Sequence, residues 1–402
     1  MDLLQIFIFM KRFKVLFISG GYPRNGAPSH CPFIGYRLAY LQKYGIHADV
    51  LSFKKINFKN RTTFLKVAKY IIISIFPFVT IESYNFIGEK YMIYNINYSF
   101  LSRIWLPVII LFLVKAKKYS LFHYHFLWFT ENLVLLKKII KIPAIITVHG
   151  SDLHTTAINN KNAFIQFKHT INKSDKIIYV SKSLQSLSEK IGLSTDKDIV
   201  IHNGFDANIF ALTRKNAKEP IFGFVGRIHT VKRADKLPEI FYYIKEKIPN
   251  AKLIIVGGID QIEVEKQMKA DFKKYKLDKC VNFIGEVLPE RVSTYYAKMD
   301  VLLFPSRNEG FGAVVVESRA CGVPVVGCSN GGIPEAVGDG GKLVTDGDDF
   351  ERRFAEAAVN LLNNLPSREN ISNNVADFAW DKIILQEIDV YKKLIYCKKH
   401  KE

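Results

Sequence analysis

Val301-Leu302-Leu303-Phe304-Pro305-Ser306-Arg307-Asn308-Glu309-Gly310-Phe311-Gly312-Ala313-Val314-Val315-Val316-Glu317 sets the fold class of this chain. The apolar run at its start predicts a buried strand, Gly310-Phe311-Gly312 a tight turn, and the residues from Ala313 a helix. A strand–turn–helix junction of this kind aims backbone N–H groups at an anion. Glu309 and Glu317, eight positions apart, flank the turn. Their carboxylates accept hydrogen bonds only from hydroxyls or cations. Phosphate held by backbone and hydroxyls held by carboxylates together match a sugar nucleotide.

Outward from this segment the same rhythm repeats. Strands are expected at 221–225, 252–256, 281–284 and 324–326, with helices between them. Earlier in the chain, strands are expected at 15–19, 48–53, 121–126, 144–149, 176–180 and 198–201, with helices around 33–44 and 131–140. Alternation of strands and helices implies parallel sheets covered by helices on both faces. The polar, aperiodic stretch 210–220 marks a linker. The expected fold class is therefore α/β, with two Rossmann-like domains: 1–212, then 213–376, then a C-terminal helix in 377–402 with apolar residues at helical spacing.

At 402 residues and 48% hydrophobic content, the chain has ample core for two domains. Five cysteines without short paired spacing argue against a disulfide framework and against a zinc site, and point to a reducing compartment. The net charge of +19 is lopsided. Residues 1–212 carry 27 Lys/Arg against 11 Asp/Glu, a net +16, and the rest carries 30 against 27, a net +3. A basic half of this kind implies an anionic partner.

Aromatic and aliphatic residues interleave with Lys54, Lys55, Lys59, Arg61, Lys66 and Lys69. A second apolar run, 104–114, ends in Lys115, Lys117 and Lys118. Neither run reaches the roughly 18–20 residues that span a bilayer. Both suit an interfacial helix on an anionic membrane surface; the competing reading is a buried helix with a solvated basic face. Residues 1–9 read as an extension ahead of the first strand, and no signal peptide is needed.

Other residues carry chemistry. Gly226-Arg227-Ile228-His229-Thr230-Val231-Lys232 follows an expected strand, where a guanidinium and an ammonium neutralise a diphosphate leaving group. Because a guanidinium grips two oxygens at once, Arg227 is expected to matter more than Lys232. Gly20-Gly21-Tyr22-Pro23 lets backbone approach a ligand closely, and its glycine spacing does not fit the dinucleotide fingerprint. Thr147-Val148-His149-Gly150-Ser151-Asp152 ends a strand, and Asp152 is a helix-capping candidate. His123 and His125 share one strand face and lack an evident third metal ligand. Asp346-Gly347-Asp348 reads as helix capping, and Glu335 as a cap on the next element.

These motifs, with Val180-Ser181, Asn203-Gly204-Phe205-Asp206 and Gly331-Gly332-Ile333-Pro334-Glu335, resemble those of retaining glycosyltransferases of family 4. The resemblance covers essentially the whole chain, is strongest over 223–335 and loosest over 56–119. One departure is Arg233, where family members often have glycine. The resemblance implies a GT-B fold, two domains facing a cleft, and a final helix that crosses back to the first. It implies an N-terminal domain for the acceptor and a C-terminal domain for the donor. In the donor domain it puts Arg227 and Lys232 on the diphosphate, Glu317 on the ribose, Glu309 on the transferred sugar, and Gly310, Phe311 and Gly312 beside them through backbone amides. In the first domain Gly21 would approach the donor, and His149 would contact the transferred sugar or orient the acceptor.

The reaction implied is metal-independent transfer of a hexose-type sugar, with retention, from a nucleotide-diphospho-sugar co-substrate to an acceptor hydroxyl. No cofactor is required, and the acceptor would be a glycan or lipid-linked saccharide of surface polysaccharide synthesis. The expected location is cytoplasmic, peripheral on the inner face of the plasma membrane. An epimerase acting on sugar nucleotides would keep the fold and needs titratable groups near the donor C2, which the sequence does not reveal. A nucleic-acid-binding protein needs a recognisable module and a basic excess in both halves; no module is recognised and the second half is nearly neutral.

Overall fold

The computed structural model describes residues 13–28, 30–55, 78–98, 105–130, 133–212 and 219–399. The expected upstream extension, most of the basic aromatic run at 54–78 and the centre of the linker lie outside them. The chain forms two compact units. The first comprises residues 1–179, 185–201 and 384–402; the second comprises 180–184 and 202–383.

In the first unit the strands are β1 (Lys14–Ile18), β2 (His47–Lys55), β3 (Phe78–Phe86), β4 (Glu89–Tyr98), β5 (Leu121–His125), β6 (Ala144–Val148), β7 (Lys176–Tyr179) and β8 (Asp198–Val200). They pair in the order β3-β4-β2-β1-β5-β6-β7-β8. Seven run parallel, and their centre is the run of fully buried aliphatic residues that parallel strands covered on both faces require. Strand β3 alone is antiparallel, forming a hairpin with β4. The hairpin turns on Ile87 and Gly88, both at positive φ (46° and 87°), the requirement of a tight two-residue hairpin loop. Residues Val79 and Ile81 on this edge strand are exposed.

In the second unit β9 (Ile221–Val225), β10 (Lys252–Val256), β11 (Val281–Gly285), β12 (Val301–Phe304), β13 (Val325–Cys328) and β14 (Gly341–Val344) pair as β11-β10-β9-β12-β13-β14, all parallel. This doubly wound order reverses between β9 and β12, the place where such sheets open a ligand crevice beyond the strand ends. In the first unit the order reverses between β1 and β5.

The helix Trp380–Lys399 starts in the second unit, where Trp380 and Ile383 are buried. From Ile384 onward it belongs to the first unit, burying Ile384, Ile388 and Tyr391. Its Glu387 meets Arg37 of the helix Pro32–Lys43 at 2.5 Å, with both side chains fully buried. Neither charge has access to water, so each depends on the other.

Candidate functional site

The loops after β9 and β12 meet at the reversal of strand order in the second unit. The Lys232 ammonium donates to Glu309 Oε1 at 2.5 Å, and both side chains are mostly buried. Ser306 Oγ donates to the same carboxylate oxygen. The Lys232 ammonium also lies 5.5 Å from the centre of the Phe304 ring. Arg307 N–H donates to the Val231 carbonyl at 2.8 Å, which fastens the β12 loop to the β9 loop.

Glu309 owes its position to backbone packing. Gly332 N–H donates to the Glu309 carbonyl at 2.9 Å, and Asn308 N–H donates to Asn330 Oδ1 at 3.0 Å. A Cβ on Gly332 would stand 2.4 Å from the Gly310 carbonyl oxygen, and one on Gly331 would stand 2.5 Å from that of Glu309. The pair Gly331-Gly332 is therefore required by close approach of two backbone segments. Gly332→Ala is expected to push the Gly310 carbonyl outward, lower stability by about 1–3 kcal/mol, and reduce turnover at temperatures where the variant is still folded. Thermal melting and steady-state rates on the purified variant check this.

The helix Ala313–Ala320 starts at Gly312, which holds φ +100°, and no side chain caps it. Val315 N–H donates to the Gly312 carbonyl at 2.9 Å, while the N–H groups of Ala313 and Val314 precede any helical acceptor and favour an anion. Phe311 is buried against His202 and Phe378, with ring centres at 4.9 and 5.2 Å, so what it offers a ligand is its backbone. Glu317 lies on the same helix, half-buried. Burial pushes its carboxyl up to about 7, while the Tyr296 hydroxyl, which donates to it at 3.4 Å, and the Lys232 charge pull the other way. Arg227 follows Gly226 at the end of β9, is largely exposed, and pairs with Asp260 at 2.6 Å. The structure thus gathers Lys232, Glu309, Gly310, Phe311 and Gly312 around one junction.

In the first unit, Gly21 follows β1. Its N–H donates to Ser19 Oγ at 3.1 Å, and a Cβ there would meet Cys31 Sγ at 2.7 Å. Its amide is thus engaged internally, and the glycine is explained by packing on Cys31. His149 follows β6 and lies between Phe33 and Phe126, with ring centres 4.6 Å from each. Asp152 accepts from Gly150 N–H at 2.9 Å and from Leu127 N–H at 3.4 Å, joining the loops after β6 and β5. Burial raises its carboxyl to about 6. Asp152 opens a π-helical turn, Asp152–Ala157, a rare geometry.

Two capping expectations change. Glu335 accepts from Lys182 N–H and Ser183 N–H, both at 2.9 Å, and pairs with His202 at 3.0 Å. It therefore caps a helix far away in sequence, Lys182–Lys190, rather than the element that follows it. Asp346 accepts from Arg233 and Arg307, and the helix Phe350–Asn363 begins behind Asp349 without a side-chain cap. Arg233 holds the left-handed φ of 51° that a glycine would adopt freely. Its guanidinium is fixed by Asp346 and by the Phe350 ring at 4.5 Å. The roles of Ser306, Asn330 and Tyr296 had no signal in the sequence beyond residue type.

Comparison with known proteins gives the family and the fold. The family model "Glycosyltransferase Family 4" matches residues 69–209, and "Glycosyl transferases group 1" matches 206–378. An uncharacterized glycosyltransferase of Methanocaldococcus jannaschii is 31% identical over 301 residues, covering 70% of this chain and 78% of the relative. The N-acetyl-alpha-D-glucosaminyl L-malate synthase of Bacillus anthracis is 27% identical over 269 residues, 64% of this chain and 68% of that protein. Among solved structures, a sucrose-phosphate synthase from Thermosynechococcus elongatus superposes with a TM-score of 0.71 at 21% identity, over 96% of this chain and all of its own. Anabaena HepE in complex with UDP-glucose superposes with a TM-score of 0.69 at 18% identity, over 95% of this chain and all of its own. The fold is GT-B, and the chain belongs to glycosyltransferase family 4.

Proposed function

We propose that this glycosyltransferase moves a hexose-type sugar, with retention and without a metal ion, from a nucleotide-diphospho-sugar to an acceptor hydroxyl. The observation that carries this reading is the junction after β12, where Lys232, Glu309 and an uncapped helix start share one small region. Without ligand, Lys232 and Glu309 neutralise each other. A donor would part them: the ammonium turns to a phosphate oxygen, as does exposed Arg227, and the carboxylate accepts from sugar hydroxyls. Glu317, on the helix that follows, would accept from the ribose hydroxyls.

In the step itself, the acceptor oxygen attacks the sugar C1 from the face the diphosphate leaves. The C1–O bond to the diphosphate breaks as the new C1–O bond forms, and the acceptor proton passes to a departing phosphate oxygen. Cationic side chains stabilise the negative charge that develops on the leaving group. No enzymic nucleophile enters, so the two-carboxylate scheme of hydrolases does not apply. In this reading the first unit serves the acceptor, a glycan or lipid-linked saccharide, and the second serves the donor. The structure of Anabaena HepE with UDP-glucose supports this class of donor by analogy. Screening sugar nucleotides in EDTA with a membrane lipid extract, and reading nucleoside diphosphate release and the product anomer, tests the reading. An inverted anomer, or strict dependence on Mg²⁺ or Mn²⁺, sinks it.

A peripheral membrane location belongs to the same proposal. The helix Leu106–Lys117 buries Leu106, Ile110 and Val114, while Trp105, Val108 and Phe112 stand exposed beside Lys115 and Lys117. An apolar stripe with adjacent lysines suits a lipid interface. Among the described residues no helix is long and apolar enough to cross a membrane. Vesicles containing anionic lipid are expected to bind the protein and release it as salt rises, because charge near the surface is screened over about 8–10 Å. Phe112→Ser is expected to weaken this binding while nucleotide affinity stays unchanged. Indifference to anionic vesicles at low salt would remove the membrane from the proposal.

A further inference from the structure

Two polar chains, each entirely within the first unit, are buried around β5 and β6. In one, Arg37 Nε donates to Glu387 Oε1 at 2.5 Å, and Tyr391 Oη donates to Glu387 Oε2 at 3.1 Å. The Tyr391 oxygen then lies 2.6 Å from His123 Nδ1, and His123 Nε2 lies 2.6 Å from Thr147 Oγ1. A phenol has one proton, and Tyr391 gives it to the carboxylate. His123 Nδ1–H must therefore donate to Tyr391, which leaves His123 Nε2 as acceptor for the Thr147 hydroxyl. Every member of this chain has a defined proton.

The other chain is short. His125 Nδ1 lies 3.1 Å from His149 Nε2, and the rings stack with centres 5.4 Å apart. His125 also stacks on His123 at 4.2 Å, which joins the two chains. The outer nitrogens, His125 Nε2 and His149 Nδ1, are buried and have no hydrogen-bond partner among the described residues. Burial first, and then the charge of Arg37 and the neighbouring histidines, holds His125 and His149 well below the usual imidazole range. Both rings are thus neutral, and each carries one proton. The other titratable groups around them are Tyr391 and Glu387 on the C-terminal helix and Asp152 beyond Gly150, all engaged in the contacts already given.

Two arrangements of those protons are open. If His149 Nε2–H donates to His125, an N–H is left at His125 Nε2, which has no exposure and no partner. If His125 Nδ1–H donates to His149, the spare N–H stands on His149 Nδ1, also buried, but on a residue at the strand end that is 9% exposed as a whole where His125 is fully enclosed. Buried N–H groups without partners are rarer in proteins than buried acceptors without partners. The second arrangement leaves only a lone pair permanently unmet, and lets a ligand satisfy the N–H.

We infer that His125 is a positioning residue that locks His149 in its Nδ1–H form, so that His149 presents a hydrogen-bond donor to a substrate oxygen and does not act as a base. The inference rests on the proposed role of His149 at the transferred sugar or acceptor, and it assigns the atom and the direction of that contact. A sugar hydroxyl oxygen, or a phosphate oxygen leaving C1, is the class of group this N–H would meet. It also agrees with a mechanism in which the acceptor proton goes to the departing phosphate, since a locked N–H cannot receive it.

The test uses the full-length protein labelled with ¹⁵N-histidine, with His149 assigned by loss of its signal in His149→Gln. The neutral Nδ1–H pattern is expected for His149 from about pH 6 to about pH 8, the range in which an unperturbed histidine would titrate. His125→Asn keeps a donor near the Nδ1 position and is expected to retain that pattern and the rate. His125→Leu removes it, and kcat is expected to fall about tenfold while KM for the donor and affinity for nucleoside diphosphate stay unchanged. A wild-type Nε2–H pattern, an imidazolium in that range, or equal kcat in Leu and wild type would overturn the inference. So would a failure of Asn to rescue when thermal melting shows the variant folded. If wild type turns over no sugar nucleotide, the proposed donor chemistry fails by itself, and the tautomer pattern alone then supports or overturns the lock.

Discussion

Lys232→Ala is expected to reduce sugar transfer by about ten- to a hundredfold and to exceed the effect of Arg227→Ala. Charge-assisted hydrogen bonds contribute ~1.5–3 kcal/mol each, and each ~1.4 kcal/mol is a factor of ten in rate. Residue type alone ranks Arg227 first, because a guanidinium grips two oxygens. Environment reverses the order. The Arg227 side chain is 67% exposed and tied to Asp260, whereas that of Lys232 is 19% exposed and tied to Glu309. Removing Lys232 also leaves the mostly buried Glu309 carboxylate without its neutralising charge, with the uncharged Ser306 hydroxyl still donating to it. Glu309→Gln is expected to lower transfer by a similar factor, through lost contacts to sugar hydroxyls. Steady-state kinetics on the three variants, with circular dichroism to confirm folding, provides the check; wild-type rates in both Lys232→Ala and Glu309→Gln would refute it.

Nucleoside diphosphate affinity is expected to rise with pH through about 7 in the wild type and to lose that step in Glu317→Gln. The sign follows from the carboxyl being pushed up to about 7 by burial. Its protonated form is favoured by the fold. The associated stability is fully present below the unfolded value, 4.5, and is lost as pH rises through about 7. Ribose binding runs the other way, since only the carboxylate accepts from two hydroxyls at once. The ligand's own phosphate ionisation, near pH ~6, is common to wild type and variant, so their difference isolates Glu317. Calorimetric titration at several pH values reads it. Parallel pH profiles for the two proteins would show that Glu317 does not meet the ribose.

Much of this architecture was legible in the sequence because parallel strands buried on both faces read as unbroken apolar runs. Segments such as those of β9 and β12 could hardly be anything else between helical patterns. The β3–β4 hairpin escaped because Tyr84-Asn85 and Asn95-Ile96-Asn97 mix polar and apolar residues, and because Ile87-Gly88 lacks the usual Asn or Asp of such loops. Strand β14 escaped because its Gly-Lys start carries little β signal.

The site was legible as residue types at strand ends, but not as a set of partners. Nothing local shows that Lys232 reaches Glu309, or that Glu335 caps a helix more than a hundred residues earlier. Asp346 looked like a helix cap from its neighbours, yet the fold gives it two arginines. His125 read only as half of a pair with His123 on one strand face, because its contact with His149 depends on β5 and β6 lying side by side in register.

In the proposed reading the second unit holds the donor in two parts, with Glu317 on the nucleoside side and Glu309 on the sugar side. Titrating wild type, Glu309→Gln and Glu317→Gln with nucleoside diphosphate, and then with the intact sugar nucleotide, tests it most directly. Glu309→Gln is predicted to bind the nucleoside diphosphate at least as tightly as wild type, since Lys232 is freed for the phosphate, and to lose the extra affinity conferred by the sugar, while Glu317→Gln is predicted to bind both ligands more weakly. Equal loss of both ligands in Glu309→Gln, or wild-type affinity for both in Glu317→Gln, would contradict the account.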